Sequence, residues 1–431
     1  MSDAGSDLQR WEALKQRLFE QNRFTIKLGL ERMRAALEAE GHPERCAPAI
    51  VVAGTNGKGT VASSLSAILG AHGLRVGLYT SPHLVGFEER FRVGGVPLTP
   101  AQVMPVLEDV YARYGDVSHV GEDALTFFEL TTLMAARLFE AQRVDVAIYE
   151  VGLGGRLDAV NAIEPALSII TTIDRDHEAY LGDTLEAIAG EKAGVMRAGV
   201  PVVIGEQEHS EAFEVLWARA SEGSRYAPTL AWDAGQVTHE GRSRVARRHH
   251  VTARCAAQVF LGEAYNENVA QRGLERWQWP GRMERRRIVG SDGRVNDLLL
   301  DAAHNPAGIA ALRSELGAGS TGEVGAVVWG ALEDKKQEGL EALLSELGVG
   351  VWAVRIATPR ALDEAGLRAR VPELHLRGVG DAGWCLREAM ASCKAGKTVL
   401  CFGSIYLLGE LYEALGLGAA DMVTERAVAG D

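Results

Sequence analysis

The sequence predicts an α/β protein of two domains: a larger one over residues 1–285 built on a parallel sheet, and a smaller, Rossmann-like one over residues 286–431. Three observations predict it. Short apolar runs alternate with helical stretches from about residue 50 to 205; a polar or glycine-rich cluster follows each of four of those runs; and the alternation restarts after Trp277-Gln278-Trp279-Pro280-Gly281-Arg282.

Taken in order, Met1 to Asn22 is polar and has no apolar segment of the signal-peptide type. Ile50-Val51-Val52 is the first strand, and Thr60 to His72 the helix after it. Val76 to Tyr79, Val146 to Tyr149 and Leu167 to Ile173 are further strands, with helices over Ala124 to Ala141 and Thr184 to Met196, and Val200 to Gly205 ends the run. Residues 206–260 are less periodic, and their basic stretch, Arg242 to His250, reads as a solvated edge or loop. Beyond it, strands are expected near 297–301, 325–329, 351–357 and 397–402, with helices near 306–317, 337–347 and 383–394. A hinge is placed at about 283–296, where Ser291-Asp292-Gly293 marks a turn.

Composition narrows the function. A formal charge of −13 over 431 residues weighs against non-specific nucleic-acid binding, which needs a basic face. No run approaches the roughly 18 to 20 apolar residues of a membrane span, so a cytoplasmic protein without nucleic-acid or membrane partners is expected. The five cysteines, Cys46, Cys255, Cys385, Cys393 and Cys401, lack Cys-x-x-Cys spacing and read as buried, reduced residues.

The four clusters carry the chemistry. In an open α/β sheet ligands bind at the carboxyl ends of the strands, so all four should converge on one site. Gly54-Thr55-Asn56-Gly57-Lys58-Gly59-Thr60 has the form of a phosphate loop, with backbone N–H groups and a lysine aimed at phosphate oxygens. That makes the first domain a P-loop parallel-sheet ATPase domain. Gly59, however, separates Lys58 from Thr60, so the residue directly after the lysine has no hydroxyl for Mg²⁺. Ser81, Glu150 and His177, from the other clusters, are the alternative ligands, and Asp174 and Asp176 could support them from behind. Taken singly each has a bland reading: a turn cap before Pro82, a buried paired acid, a satisfied loop histidine.

Together with Tyr79-Thr80-Ser81-Pro82-His83-Leu84, Leu125-Thr126-Phe127-Phe128-Glu129, Glu150-Val151-Gly152-Leu153-Gly154-Gly155-Arg156-Leu157-Asp158, Asp176-His177, Glu191-Lys192-Ala193-Gly194, Pro280-Gly281-Arg282 and Asp301-Ala302-Ala303-His304-Asn305-Pro306, the loop resembles the folylpolyglutamate synthase and dihydrofolate synthase family, relatives of the Mur ligases. The resemblance implies an ATP-dependent amide ligase. A carboxylate takes the γ-phosphate as an acyl phosphate, and the amine of L-glutamate then displaces phosphate. It implies ATP and one or two Mg²⁺ ions as cofactors, dihydropteroate, reduced folates and L-glutamate as partners, and a monomer.

The same resemblance distributes the roles. Lys58, with Thr55, Asn56, Gly57, Gly59 and Thr60, would cradle the phosphates; Arg282 and Asp301 would bind the nucleotide, and His304 would lie near its phosphates. Asn268 fits an asparagine of the adenine site when counted from Gly262, although Tyr265 and Val269 stand where the family has glutamine and alanine. Ser81, Glu150 and His177 would ligate the metal. Lys192 matches a lysine that takes up carbon dioxide as a carbamate; otherwise it is a surface lysine paired with Glu191 or Asp176. Thr126, Phe127, Phe128, Glu129, Leu157 and Asp158 match pterin-site positions, against the plainer reading that one phenylalanine is helix core. Arg156 would pair with a substrate carboxylate or hold the glycine loop, and Gly403-Ser404-Ile405-Tyr406 reads as a helix start. Three alternatives stay open: polyglutamylation alone, a Mur-type cell-wall ligase, and a regulatory P-loop NTPase. The second glycine of Gly-Lys-Gly-Thr argues against the Mur type. The NTPase leaves Lys192, Arg282 and Asp301 to Pro306 without a task.

Overall fold

The computed structural model describes residues 3–21, 27, 29–115, 120–222, 229–231, 244–289, 295–318 and 322–422. Its first sheet comprises β1 (Ala49–Ala53), β2 (Val76–Tyr79), β3 (Phe91–Val93), β4 (Val96–Pro97), β5 (Val146–Glu150), β6 (Leu167–Ile170), β7 (Val202–Ile204) and β8 (Thr229–Leu230), in the spatial order β4-β3-β2-β5-β1-β6-β7-β8. All pairings are parallel except those of β3, which runs antiparallel to β2 and β4. The four strands that carry the polar clusters, β2, β5, β1 and β6, are consecutive neighbours, and so their carboxyl-terminal loops lie side by side.

The apolar character of these strands follows from burial on both faces. Val51 and Ala53 join Leu133 and Ile188 on one side, while Ile50 and Val52 join Leu65 and Ala256 on the other. Each such valine, leucine or isoleucine contributes roughly 1.5–3 kcal/mol by leaving water. The second sheet repeats the arrangement with β9 (Glu284–Val289), β10 (Val295–Asp301), β11 (Val324–Trp329), β12 (Gly350–Val354), β13 (Leu376–Gly380) and β14 (Thr398–Phe402), ordered β13-β12-β11-β14-β10-β9. Leu298 and Leu300 face Leu386 and Leu411; Leu299 faces Leu312 and Leu343.

Three expectations need correction. The hinge expected at 283–296 is instead an antiparallel pair within the second sheet, where β9 lies along β10 from Glu284↔Leu300 to Val289↔Val295. Three consecutive arginines, Arg285 to Arg287, lie on this edge strand, where exposed Arg285, Arg287 and Val289 alternate with half-buried Glu284, Arg286 and Ile288, which is why the stretch reads as a polar linker. The turn at Ser291-Asp292-Gly293 lies outside the described residues. Within 206–260 the described residues form more regular structure than expected, with helices Ser210–Ser221 and Arg244–Leu261. Of the basic stretch, Arg242 and Ser243 lie outside the described residues, and His249 and His250 are buried on the second of those helices. Finally, Cys46 is exposed, whereas Cys255, Cys385, Cys393 and Cys401 are buried and all five are free thiols.

The seam between the domains has an apolar side. Leu84 and Val85, just beyond β2, join the second domain's core. A Cβ on Gly409 would lie 2.2 Å from the Leu84 carbonyl oxygen, and one on Gly281 would lie 2.7 Å from Leu408. Buried Arg92 of β3 donates to the carbonyl of Met422 and lies 5.2 Å from the Trp279 ring. Among the described residues no helix is long and apolar enough to cross a membrane.

Candidate active site

The phosphate loop is built from β1, its glycines and the helix Lys58–Ala71. Gly57 precedes that helix at φ 84°, a left-handed conformation that favours glycine. Space is as limiting as conformation here. A Cβ on Gly57 would sit 2.2 Å from His249 Nε2, and one on Gly59 would sit 3.3 Å from the Trp279 indole and 3.6 Å from Glu150 Oε1. The glycine inserted after Lys58 therefore lets an aromatic ring and a carboxylate close on the loop. Lys58 folds back on its own turn and donates to the carbonyls of Gly54 and Thr55, at 3.1 Å each. Desolvation lowers its pKa, opposed by Glu150 and Asp176. Thr55 and Asn56 are tied to the end of β6, through Thr55 Oγ1 to the Asp174 carbonyl and through Thr171 and Thr172 to the Asn56 carbonyl.

Lys192 approaches the same turn from the helix Leu185–Ala193. It is 4% exposed and donates to the Gly54 carbonyl at 2.9 Å. Glu191 is not its partner, being held instead by Arg156 through two contacts of 3.0 and 2.8 Å. Burial brings the Lys192 pKa down to about 7, helped by Lys58 and opposed by Asp176 and Asp158. A neutral amine at that depth is a nucleophile toward carbon dioxide.

Glu150 ends β5 and is 5% exposed; its Oε2 accepts the Ser81 backbone N–H at 3.0 Å. Burial raises its pKa, with Lys58 the first opposing charge and Arg282 among the others. A buried carboxylate next to Ser81, a residue that carries a hydroxyl, suits a hard cation that keeps some of its waters. His177 stands in a left-handed backbone conformation, φ 54°, at the start of the short helix Glu178–Leu181. Such strain persists only where the surroundings fix it. Burial pushes its ring down to about 4, so the ring is neutral and can offer a lone pair. Among the described residues no three His, Cys, Asp or Glu side chains form a ready metal cage.

The second domain supplies the opposite wall. Asp176 accepts from Lys335 Nζ at 2.8 Å and from Asn305 Nδ2 at 3.2 Å, and His304 Nε2 lies 3.8 Å away. Burial raises the Asp176 pKa, but His304, His177 and Lys335 outweigh it and hold the carboxyl far below its usual range. Asn305 also donates to Asn56 Oδ1 at 3.1 Å, which joins the second domain directly to the phosphate loop. His304 is oriented by Nδ1 at 2.8 Å from the Ala302 carbonyl. Asp301 accepts the Met283 and Ala303 N–H groups, at 2.8 and 2.9 Å, and fixes the turn that carries Arg282.

The expected acceptor-site residues divide. Phe127 and Phe128 are both half-buried against the core; the Phe128 ring lies where a Cβ on Gly152 would be, and Phe127 faces Arg90, 5.0 Å from ring to guanidinium. Thr126 and Glu129 form a capping box on the helix Phe127–Ala141, and Glu129 also accepts from Arg32 at 3.0 Å. Glu129 is thus taken up by structure, which argues against its binding a pterin. Asp158 holds the glycine turn through the N–H groups of Gly152, Leu153 and Val160; burial raises its pKa to about 7 despite these donors. Leu157 is half-buried beside it, and Arg156 is exposed and committed to Glu191.

Asn268 is not brought to the site. It is exposed on the first turn of the helix Glu267–Arg276, whose cap Asn266 donates its backbone N–H to His72 Nε2 at 3.0 Å. His72 closes the far end of the 14-residue phosphate-loop helix, about 21 Å from its start. Counting from Gly262 selects the wrong end. In its place the structure contributes Asn305, Lys335, Trp279, Arg90 and His249. Burial takes the His249 ring to about 3, and among the described residues its Nε2 has no hydrogen-bond partner. Arg90 donates Nε to His83 Nδ1 at 2.9 Å and is a buried cation that, among the described residues, has no acidic side chain in hydrogen-bond contact. Ser404 caps the helix Ile405–Ala414, as the sequence suggests.

Comparison with known proteins agrees with this geometry. Residues 52–214 match the Mur ligase middle domain, and residues 281–405 match the Mur ligase glutamate ligase domain. The chain is 33% identical over 428 residues to the dihydrofolate synthase/folylpolyglutamate synthase of Escherichia coli, covering 96% of each. The folylpolyglutamate synthase of Mycobacterium tuberculosis complexed with ADP superposes with a TM-score of 0.83 at 29% identity, covering 95% of this chain and 99% of that one. The bifunctional Yersinia pestis enzyme complexed with AMPPNP and manganese gives 0.78 at 31% identity, covering 94% and 98%. With both domains matched in order and the phosphate loop facing the Asp301 to Pro306 turn, the chain belongs to the dihydrofolate synthase/folylpolyglutamate synthase family of Mur ligases.

Proposed function

We propose that this chain joins L-glutamate to dihydropteroate, forming dihydrofolate, and to reduced folates, using ATP and releasing ADP and phosphate. The observation that carries the reading is the meeting of basic side chains from both domains at one phosphate loop: Lys58 and Lys192 on the Gly54 carbonyl, with Lys335 and His304 across the seam at Asp176. In the first step an acceptor carboxylate oxygen attacks the γ-phosphorus and the bond to the ADP oxygen breaks. In the second the glutamate amine attacks the acyl carbon, loses a proton, and phosphate leaves. Such transfers need positioning and charge neutralisation more than a protein nucleophile.

Lys58 swings from its own carbonyls to the β and γ phosphates, and Arg282 grips phosphate oxygens with its planar fork. Ser81, Glu150 and His177 would hold the divalent ion, which would supply charge neutralisation at the phosphates. Lys192, as its carbamate, would replace a buried cation by an anion beside the phosphate loop. Phe127, Phe128 and Asp158 line the acceptor's side, where the rings offer a stacking face. A monomer is proposed, and the acidic composition supports a cytoplasmic enzyme of small molecules. ADP release with ATP, Mg²⁺ and glutamate tests the reading. Stimulation by both dihydropteroate and tetrahydrofolate is expected. Stimulation by tetrahydrofolate alone would leave polyglutamylation only, and stimulation by neither would return the Mur-type and NTPase alternatives.

A further inference from the structure

The loop after β11 sends one side chain deep into the first domain. Lys335 is 8% exposed; its backbone carbonyl is held by Arg370 at 2.9 Å, and its ammonium lies 2.8 Å from Asp176 Oδ1 and 3.4 Å from His177 Nε2. An ammonium has protons to give and no lone pair to receive one. A hydrogen bond between the two therefore requires the lone pair of His177 Nε2 to accept, with the ring in its Nδ1–H tautomer. A metal ion bound through Nε2 needs that same lone pair.

We propose that Lys335 is an internal stand-in for the divalent cation: it occupies the metal's position on His177 until the metal arrives, and metal loading displaces it. This rests on the reading of His177 as a metal ligand. Three features of the site support it. Asp176 and His177 are adjacent in the chain, so one cation of the second domain can satisfy both the carboxylate and the ring. The carboxylate keeps Asn305 at 3.2 Å and His304 at 3.8 Å when Lys335 moves, so the acid is not left bare. And a lysine on a flexible stem is a mobile point charge, whereas an arginine fork would be fixed in one geometry. The ammonium released from His177 then has phosphate oxygens as its natural partner, which couples metal loading to a second cation on the nucleotide.

The proposal predicts competition, which can be read without turnover. Binding of Mn²⁺ to the full chain, followed by the loss of the free-ion electron paramagnetic resonance signal at fixed AMPPNP, is compared for wild type, Lys335→Met, Lys335→Gln, His177→Ala and the double variant Lys335→Met/His177→Ala. Removing a positive charge so near the ligand should tighten Mn²⁺ about tenfold in both Lys335 variants. In the His177→Ala background the gain from Lys335→Met should shrink to about twofold or less, because only general charge repulsion remains. Unchanged or weaker Mn²⁺ binding in both Lys335 variants, with His177→Ala still weakening it, overturns the stand-in and leaves His177 a ligand. Unchanged binding in His177→Ala overturns the ligand reading, and the stand-in with it. Thermal melts of each variant identify any that fail to fold, and two different replacements at Lys335 keep one measurable.

Discussion

The two domains meet the phosphate loop in opposite ways. First-domain acids are held largely by their own scaffold: Asp158 by three backbone N–H groups, Glu129 by its capping box and Arg32, Glu150 by the Ser81 N–H. Lys335 of the second domain finds its acid across the seam, and Asn305 reaches across as well, to Asp176 and Asn56. Glu129, both of whose oxygens are taken up inside its own domain, belongs to the framework, whereas a group such as Lys335, whose acid lies across the seam, is available to a ligand that enters between the domains.

That distinction can be broken at several points. The largest effect is expected at Lys58: Lys58→Ala should cut substrate-stimulated ADP release by about a thousandfold or more, with the melting temperature close to wild type, because the phosphates lose their nearest point charge. Retained turnover would take the loop out of the mechanism. Lys192→Ala should lose about a hundredfold and recover in part with added acetate or formate. In the wild type the amine is neutral above its pKa of about 7 and charged below it, so activity in carbon-dioxide-depleted buffer should respond to added bicarbonate above that pH and progressively less below it. An identical response in Lys192→Ala would remove the carbamate.

Glu129→Ala tests the framework side. It deletes a helix cap and leaves Arg32 without its carboxylate, so a stability loss of about 2–3 kcal/mol is expected by denaturant titration, with kcat nearly unchanged. A collapse of kcat with intact stability would move Glu129 into the acceptor site. Arg282→Lys, which keeps the charge but loses the fork, should raise KM for ATP about tenfold. The smallest effect belongs to Asn268→Ala, less than about twofold in KM for ATP, as expected of a surface position; a tenfold rise would restore it to the adenine site.

Local signals made much of this readable beforehand. A glycine-rich turn after an apolar run identifies a phosphate loop within seven residues, and four such clusters at strand ends imply convergence because sheet geometry gathers them. Thr126 and Glu129 carry a different message at the same spacing: three residues apart before an apolar run they form a capping box, a signal present in the sequence beside the pterin reading. Lys335 could not be found this way. Its partner, Asp176, lies 159 residues earlier, and nothing near either residue announces the other. Asn268 failed for a related reason: distance counted along the chain does not say which end of a packed helix a residue will meet. His249 was hidden by composition, since a run of arginines and histidines reads as solvated although one face of its helix is buried against the phosphate-loop helix.

The apolar side of the seam has a mechanical consequence. Leu84 against Gly409 and Gly281 against Leu408 leave no gap into which the domains could slide, and the carbonyl of Leu84 is too near for any side chain to intervene. Among the described residues the polar side, at Asp176, is joined by hydrogen bonds and ion pairs that water can replace. Any separation of the domains that began at Asp176 would therefore pivot about Leu84 and Gly281, as a book opens from its fore-edge while the spine stays bound.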